Sequence, residues 1–167
     1  MKATRIARFA PLLATHKFTG ADLLLTRKCN LQCPYCGVIQ QKEERPQLTP
    51  EQWLRVIDYF RRHGHVHFIF TGGEALLYQG LPHLVAETSK HSLTCLMSNG
   101  KLLTEERLDG LPGLDFVTVS FDPKTAEFDS DKNDWETLEL LKRHSEKTGL
   151  SVSVMATVTR ANVRGIP

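Results

Sequence analysis

Three of the four cysteines fall within eight residues, Cys29-Asn30-Leu31-Gln32-Cys33-Pro34-Tyr35-Cys36, and this spacing can hold three thiolates around one small inorganic centre. At this cysteine content, roughly 0.002 such triplets are expected by chance along the chain. Three thiols cannot all pair with one another, which argues against a disulfide framework. Nothing at the N-terminus resembles a cleavable secretory signal. The expectation is therefore a cytoplasmic chain with reduced thiols. Structural zinc closes a tetrahedron and usually draws its ligands from two separated pairs. The remaining cysteine offers no such pair: Cys95 lies in the apolar run Leu93-Thr94-Cys95-Leu96-Met97, where it reads as a small buried hydrophobe. An iron–sulfur cubane takes four thiolates, one for each iron. Three leave one iron open to a substrate or cofactor, which points toward chemistry at the cluster and away from plain electron transfer.

The elements that must position this loop alternate along the chain. Leu23-Leu24-Leu25 is a short continuous apolar run, as expected of a parallel strand buried on both faces, and it feeds into the cysteines. Thr49 as N-cap, Pro50 in the first turn and Gln52 completing a capping box open a helix. Its buried stripe is Trp53, Val56, Ile57 and Phe60. A strand over 66–70 runs into Thr71-Gly72-Gly73-Glu74, and a helix led by Pro82 carries Leu81, Leu84 and Val85. A strand over 93–97 ends at Ser98-Asn99-Gly100; a short helix over 104–111 and a strand over 116–121 lead to Asp122. A helix over 133–148, with Trp135, Leu138 and Leu141 inward, stops at Gly149 before a fifth strand over 151–158. Strict alternation implies a parallel sheet with right-handed crossovers, so that all strand C-termini, and the motifs at them, gather on one face.

Cys29, Cys33 and Cys36 at this spacing, with aromatic Tyr35 before the last of them, resemble the cluster loop of radical SAM (S-adenosylmethionine) enzymes. Thr71-Gly72-Gly73-Glu74 resembles the glycine-glycine-glutamate motif of that family, Ser98-Asn99-Gly100 its third-strand ending, and Ser120-Phe121-Asp122 its fourth. The resemblance implies an α/β fold, a parallel-sheet partial (β/α) barrel of six strand–helix units. Five strands are legible, and the chain stops at Pro167 where a fifth helix should begin, so a barrel truncated after its fifth strand is expected. Residues 1–20, with Lys2, Arg5, Arg8 and Lys17, read as a basic lead-in and residues 21–167 as an incomplete core.

The same resemblance implies the roles. Cys29, Cys33 and Cys36 would hold three irons of a 4Fe–4S cluster whose fourth iron chelates SAM. Gly72 and Gly73 would let main chain approach the methionine moiety, and Glu74 would offer a carboxylate to its ammonium. Ser120 would bond the ribose, with Asp122 contacting SAM or substrate; Tyr35 and Asn99, the latter a turn residue before Gly100, are grouped with these cofactor-binding positions. One electron through the cluster would cleave SAM to methionine and a deoxyadenosyl radical that takes hydrogen from a substrate, in peptide modification or cofactor biosynthesis. An external reductant such as flavodoxin or ferredoxin is implied, with Arg27 and Lys28 beside the loop as a candidate docking patch. No residue is singled out as catalytic in its own right.

A chain of 167 residues, 41% hydrophobic and 24% charged, can bury a core of its own. Its net charge of +2 gives no argument for nucleic acid, and no apolar stretch reaches the ~20 residues of a membrane helix, so a soluble protein is expected. His63, His65 and His67 share alternate positions but precede the second strand, at the end opposite the cysteines. The competing reading is a noncatalytic iron–sulfur or zinc module, or an inactive fragment that keeps the motifs.

Overall fold

The structure, a computed structural model, describes residue 7, residues 19–33, 35–38, 46–122 and 135–158, and residues 160 and 163. Five strands, β1 (Thr19–Thr26), β2 (His65–Gly72), β3 (Leu93–Ser98), β4 (Phe116–Ser120) and β5 (Ser151–Met155), form one parallel sheet in chain order. Helices α1 (Pro50–Arg62), α2 (Leu81–Thr88), α3 (Glu105–Asp109) and α4 (Trp135–Thr148) alternate with them, and a 3-10 turn (Ala75–Leu77) follows β2. The sheet is open, an α/β partial barrel.

Alternation along the strands sets its two faces. Leu23, Leu25, Phe68, Phe70, Leu96, Val117 and Val119 are all buried and share one core with Ile57 of α1, Leu81, Leu84 and Val85 of α2 and Leu141 of α4. Each such side chain contributes about 1.5–3 kcal/mol when removed from water. The opposite face is set by the register Asp22↔Ile69, Ile69↔Cys95, Cys95↔Phe116 and Thr118↔Ser153. It is mixed in character: Thr118 Oγ1 bonds Ser153 Oγ at 2.8 Å and lies 3.7 Å from Cys95 Sγ, while Asp22 and Leu24 are exposed.

The capping box of α1 forms as expected, with Gln52 N donating to Thr49 Oγ1 at 3.3 Å and Thr49 N donating to Gln52 Oε1 at 2.8 Å. Such a cap contributes about 1 kcal/mol. Gly149 adopts φ +70° and ends α4. Three expectations are corrected. Trp135 does not point inward; it is 65% exposed, its ring packed edge-on to Phe121 at 4.9 Å. The buried stripe of α4 is Thr137, Leu141 and His144, and at ~100° per residue Trp135 falls on the opposite side. The fifth strand ends at Met155 and not at 158, because Thr157 N turns aside to donate to Asp122 Oδ1 at 2.8 Å. His65 and His67 lie within β2 itself, while His63 caps α1. The lead-in expected over 1–20 falls, apart from residue 7 and the start of β1, outside the described residues, as do positions 133 and 134 of the helix expected before Trp135. Among the described residues no helix is long and apolar enough to cross a membrane.

Candidate functional site

The chain passes from Thr26, the last residue of β1, directly into the cysteine loop. Two main-chain hydrogen bonds lace this segment to the one that ends β2: Gly73 N donates to Thr26 O at 2.7 Å and Glu74 N to Lys28 O at 2.8 Å. A Cβ on Gly72, whose φ is +154°, would collide with Thr26 O; one on Gly73 would sit 2.5 Å from Lys28 O and 2.7 Å from Arg27 O. The requirement for glycine visible here is thus the neighbouring main chain, which fills the space a side chain would take. Gly73→Ala is expected to cost about 3 kcal/mol, because the opposing atoms are backbone and yield poorly. At this size that is about 6–12 °C in thermal midpoint. Melting curves followed by circular dichroism test it, and an unchanged midpoint would mean that residues 27 and 28 withdraw freely.

Glu74 is 1% exposed, and protein donors already surround its carboxylate. Oε1 accepts from Leu76 N at 3.1 Å and Ser98 Oγ at 3.0 Å; Oε2 accepts from Ser98 Oγ at 3.1 Å and Asn99 N at 2.8 Å. Burial pushes its pKa up, against the hydrogen bonds from Asn99, Leu76 and Ser98 and the charge of Arg107. Glu74 therefore pins the end of β2 to the end of β3. Its neighbour in that pin, Asn99, reaches the cysteine loop: Nδ2 donates to Asn30 Oδ1 at 2.8 Å and lies 3.7 Å from Cys29 Sγ. The same sulfur receives Leu31 N at 3.4 Å, and Cys36 N donates to Cys33 O at 3.0 Å within the loop.

A second tie runs to β4. The Tyr35 hydroxyl donates to Asp122 Oδ2, while Asp122 Oδ1 holds Thr157 N, so a buried aspartate joins the cysteine loop, the end of β4 and the chain beyond β5. Ser120 is half-buried at the last position of β4, in register with Met155. Cys29, Cys33, Tyr35, Cys36, Glu74, Asn99, Ser120 and Asp122 thus all stand at strand C-termini or in the loop laced to them. Cys95 does not join them: it is buried in mid-β3, and burial raises its pKa. Ser98 is visible in the sequence only as part of the Ser98-Asn99-Gly100 ending, without its bond to Glu74, and the contacts of Asn30 and Thr157 have no signal in the sequence, since their partners lie in other segments.

All four cysteines are free thiols. Among the described residues no three His, Cys, Asp or Glu side chains are placed to hold a single metal ion.

The fold resembles that of solved structures. BtrN, in a crystal structure with AdoMet and 2-DOIA, superposes with a TM-score of 0.63 at 20% identity, over 83% of this chain and 56% of that one. Streptococcus suis SuiB bound to the precursor peptide SuiA superposes with a TM-score of 0.67 at 18% identity, over 93% of this chain and 37% of that one. SuiB bound to S-adenosylmethionine gives a TM-score of 0.57 at 15% identity, over 95% of this chain and 46% of that one. The chain therefore spans about half or less of the length of these proteins, and at such identities the likeness establishes the fold. Family membership comes from the sequence itself, which matches the Radical SAM superfamily over residues 23–167. With the cysteine loop, the glycine-glycine-glutamate segment and the parallel sheet in their expected order, this chain belongs to the radical SAM superfamily.

Proposed function

We propose that the protein carries a 4Fe–4S cluster and uses it to cleave S-adenosylmethionine reductively, the resulting deoxyadenosyl radical taking hydrogen from a substrate in peptide modification or cofactor biosynthesis. The observation that supports this reading most is the tying of one three-cysteine loop to the ends of β2, β3 and β4 through Glu74, Asn99 and Asp122. The donor set fits the cluster. One loop supplies three thiols and the fourth cysteine is buried in mid-β3, so the cysteines fall one short of the closed tetrahedron of structural zinc and supply three of the four thiolates that a cubane takes.

In this reading Cys29, Cys33 and Cys36 each hold an iron and leave one for SAM. When bound, the cluster and SAM supply the one-electron chemistry that the side chains lack. The segment Gly72-Gly73-Glu74 borders the methionine end. Glu74 acts there by fixing that segment, its carboxylate being engaged by Leu76, Ser98 and Asn99. Ser120 serves the ribose, and the Tyr35–Asp122 bond holds the loop down over the strand ends. An external one-electron donor of the flavodoxin or ferredoxin kind completes the system.

Anaerobic reconstitution with iron and sulfide tests the reading. The expected results are an iron–sulfur spectrum that changes on adding SAM, and deoxyadenosine released with dithionite. Zinc without iron would make the chain a binding module, and a cluster that never cleaves SAM would make it a remnant of the family. Cys95→Ala should leave iron per chain unchanged, since that thiol is buried in the sheet beside Thr118. Loss of the cluster in this variant would identify Cys95 as a fourth ligand and close the open iron.

A further inference from the structure

Asn99 has its main-chain N–H and both ends of its side-chain amide committed, and the pattern of commitment says what it does. Its Oδ1 accepts from Lys101 N at 3.0 Å, which fixes the orientation of the amide. The NH2 group must then face the cysteine loop, where its two hydrogens meet two acceptors, Asn30 Oδ1 at 2.8 Å and Cys29 Sγ at 3.7 Å. Its main-chain N is held by Glu74 Oε2 at 2.8 Å. The following residue, Gly100, takes φ +88° and a Cβ there would stand 3.0 Å from Val119 and 3.1 Å from Thr137, so the turn cannot shift easily. Asn99 is 7% exposed. A rigid amide donor thus reaches the loop from a strand 70 residues away, and Cys29 Sγ, which also receives Leu31 N at 3.4 Å, has two N–H groups directed at it.

We propose that Asn99 is a positioning residue that donates a hydrogen bond to the Cys29 thiolate and thereby raises the reduction potential of the cluster, instead of binding SAM directly. The inference rests on the cluster reading above. A hydrogen bond to a ligating sulfur withdraws electron density from it and favours the reduced, more negatively charged cluster. The donor here is built into the β2–β3 pin, so the same contacts that hold Glu74 also hold the amide on the sulfur.

The test is a dithionite titration of reconstituted protein without SAM, followed by electron paramagnetic resonance. It is paired with deuteron resonance of the reduced cluster after exchange into D2O. Asn99→Ala should lower the one-electron reduction equilibrium about tenfold, which corresponds to about 59 mV. It should also remove one coupled exchangeable deuteron. Asn99→Asp keeps an acceptor for Lys101 N but has no N–H, and should lose the same deuteron. A fully loaded alanine variant with unchanged potential overturns the inference while leaving the cluster reading intact. If alanine does not retain the cluster, the aspartate variant decides by its deuterons, and retention of the coupled deuteron overturns the proposal. Wild-type protein that takes up no 4Fe–4S cluster overturns the cluster reading, and this inference falls with it.

Discussion

Alanine at Cys29, Cys33 or Cys36 is expected to reduce the iron retained after reconstitution and desalting from about four atoms per chain to less than one. In the proposed cluster each thiolate would be the sole protein bond to its iron, so two remaining ligands would leave half the cluster without an anchor. Loss of a mere outer-shell partner costs about 10- to 100-fold in metal affinity, and loss of a ligand should cost more. Deoxyadenosine release should fall to the level of protein-free controls in all three variants. The fold should persist, because the loop stands outside the hydrophobic core: none of the three cysteines belongs to the cluster of Phe68, Phe70, Leu96 and Val117. Far-ultraviolet circular dichroism separates the two effects. A single variant that keeps a SAM-sensitive cluster with native iron content would remove that cysteine from the ligand set.

The second large effect is expected at Glu74. Truncation to alanine leaves Leu76 N, Asn99 N and the Ser98 hydroxyl without their acceptor, in surroundings closed to water. Each unsatisfied buried donor costs about 1–3 kcal/mol. Partial relaxation keeps the total near the cost of breaking a buried network, about 3–5 kcal/mol. Urea unfolding should show this as a lower midpoint with an unchanged slope. Glutamine keeps one acceptor oxygen but turns an NH2 toward Leu76 N or Asn99 N, so Glu74→Gln should also destabilise, by less.

Glu74 also gives the stability a pH dependence of definite sign. Burial raises its pKa, so the folded state holds the proton more tightly than the unfolded chain, where a glutamate titrates near ~4.3. The contribution is fully present below that unfolded value and is lost as pH rises through the folded one. Within this window the slope is about −1.36 kcal/mol per pH unit. The stability advantage of wild type over Glu74→Gln should therefore shrink as pH rises from ~4.3. An advantage that grows with pH would show that the hydrogen bonds, and not burial, dominate the carboxyl.

The capping box at Thr49 and Gln52, the stop at Gly149 and the inward Leu81, Leu84 and Val85 were all legible, because each depends on neighbours within a turn or two of helix. Trp135 was misread for a related reason. The spacing 135, 138, 141 looks amphipathic, yet the face that meets the sheet is centred on Thr137, Leu141 and His144. The direction from which the sheet approaches α4 is absent from the helix's own residues.

The ligand spacing of Cys29, Cys33 and Cys36 and the alternation of strand and helix could be read without coordinates, since both are local in the chain, and together they determined the family and the α/β class. The reason for Gly72 and Gly73, the embrace of Glu74 by Ser98 and Asn99, the reach of Asn99 to Cys29 and the Tyr35–Asp122 tie were decided by tertiary structure alone. The side-chain ties join segments 24 to 87 residues apart. Such groups meet only once strand order and register have stacked the ends of β1, β2, β3 and β4 at one edge of the sheet, and no pattern of adjacent residues carries that register.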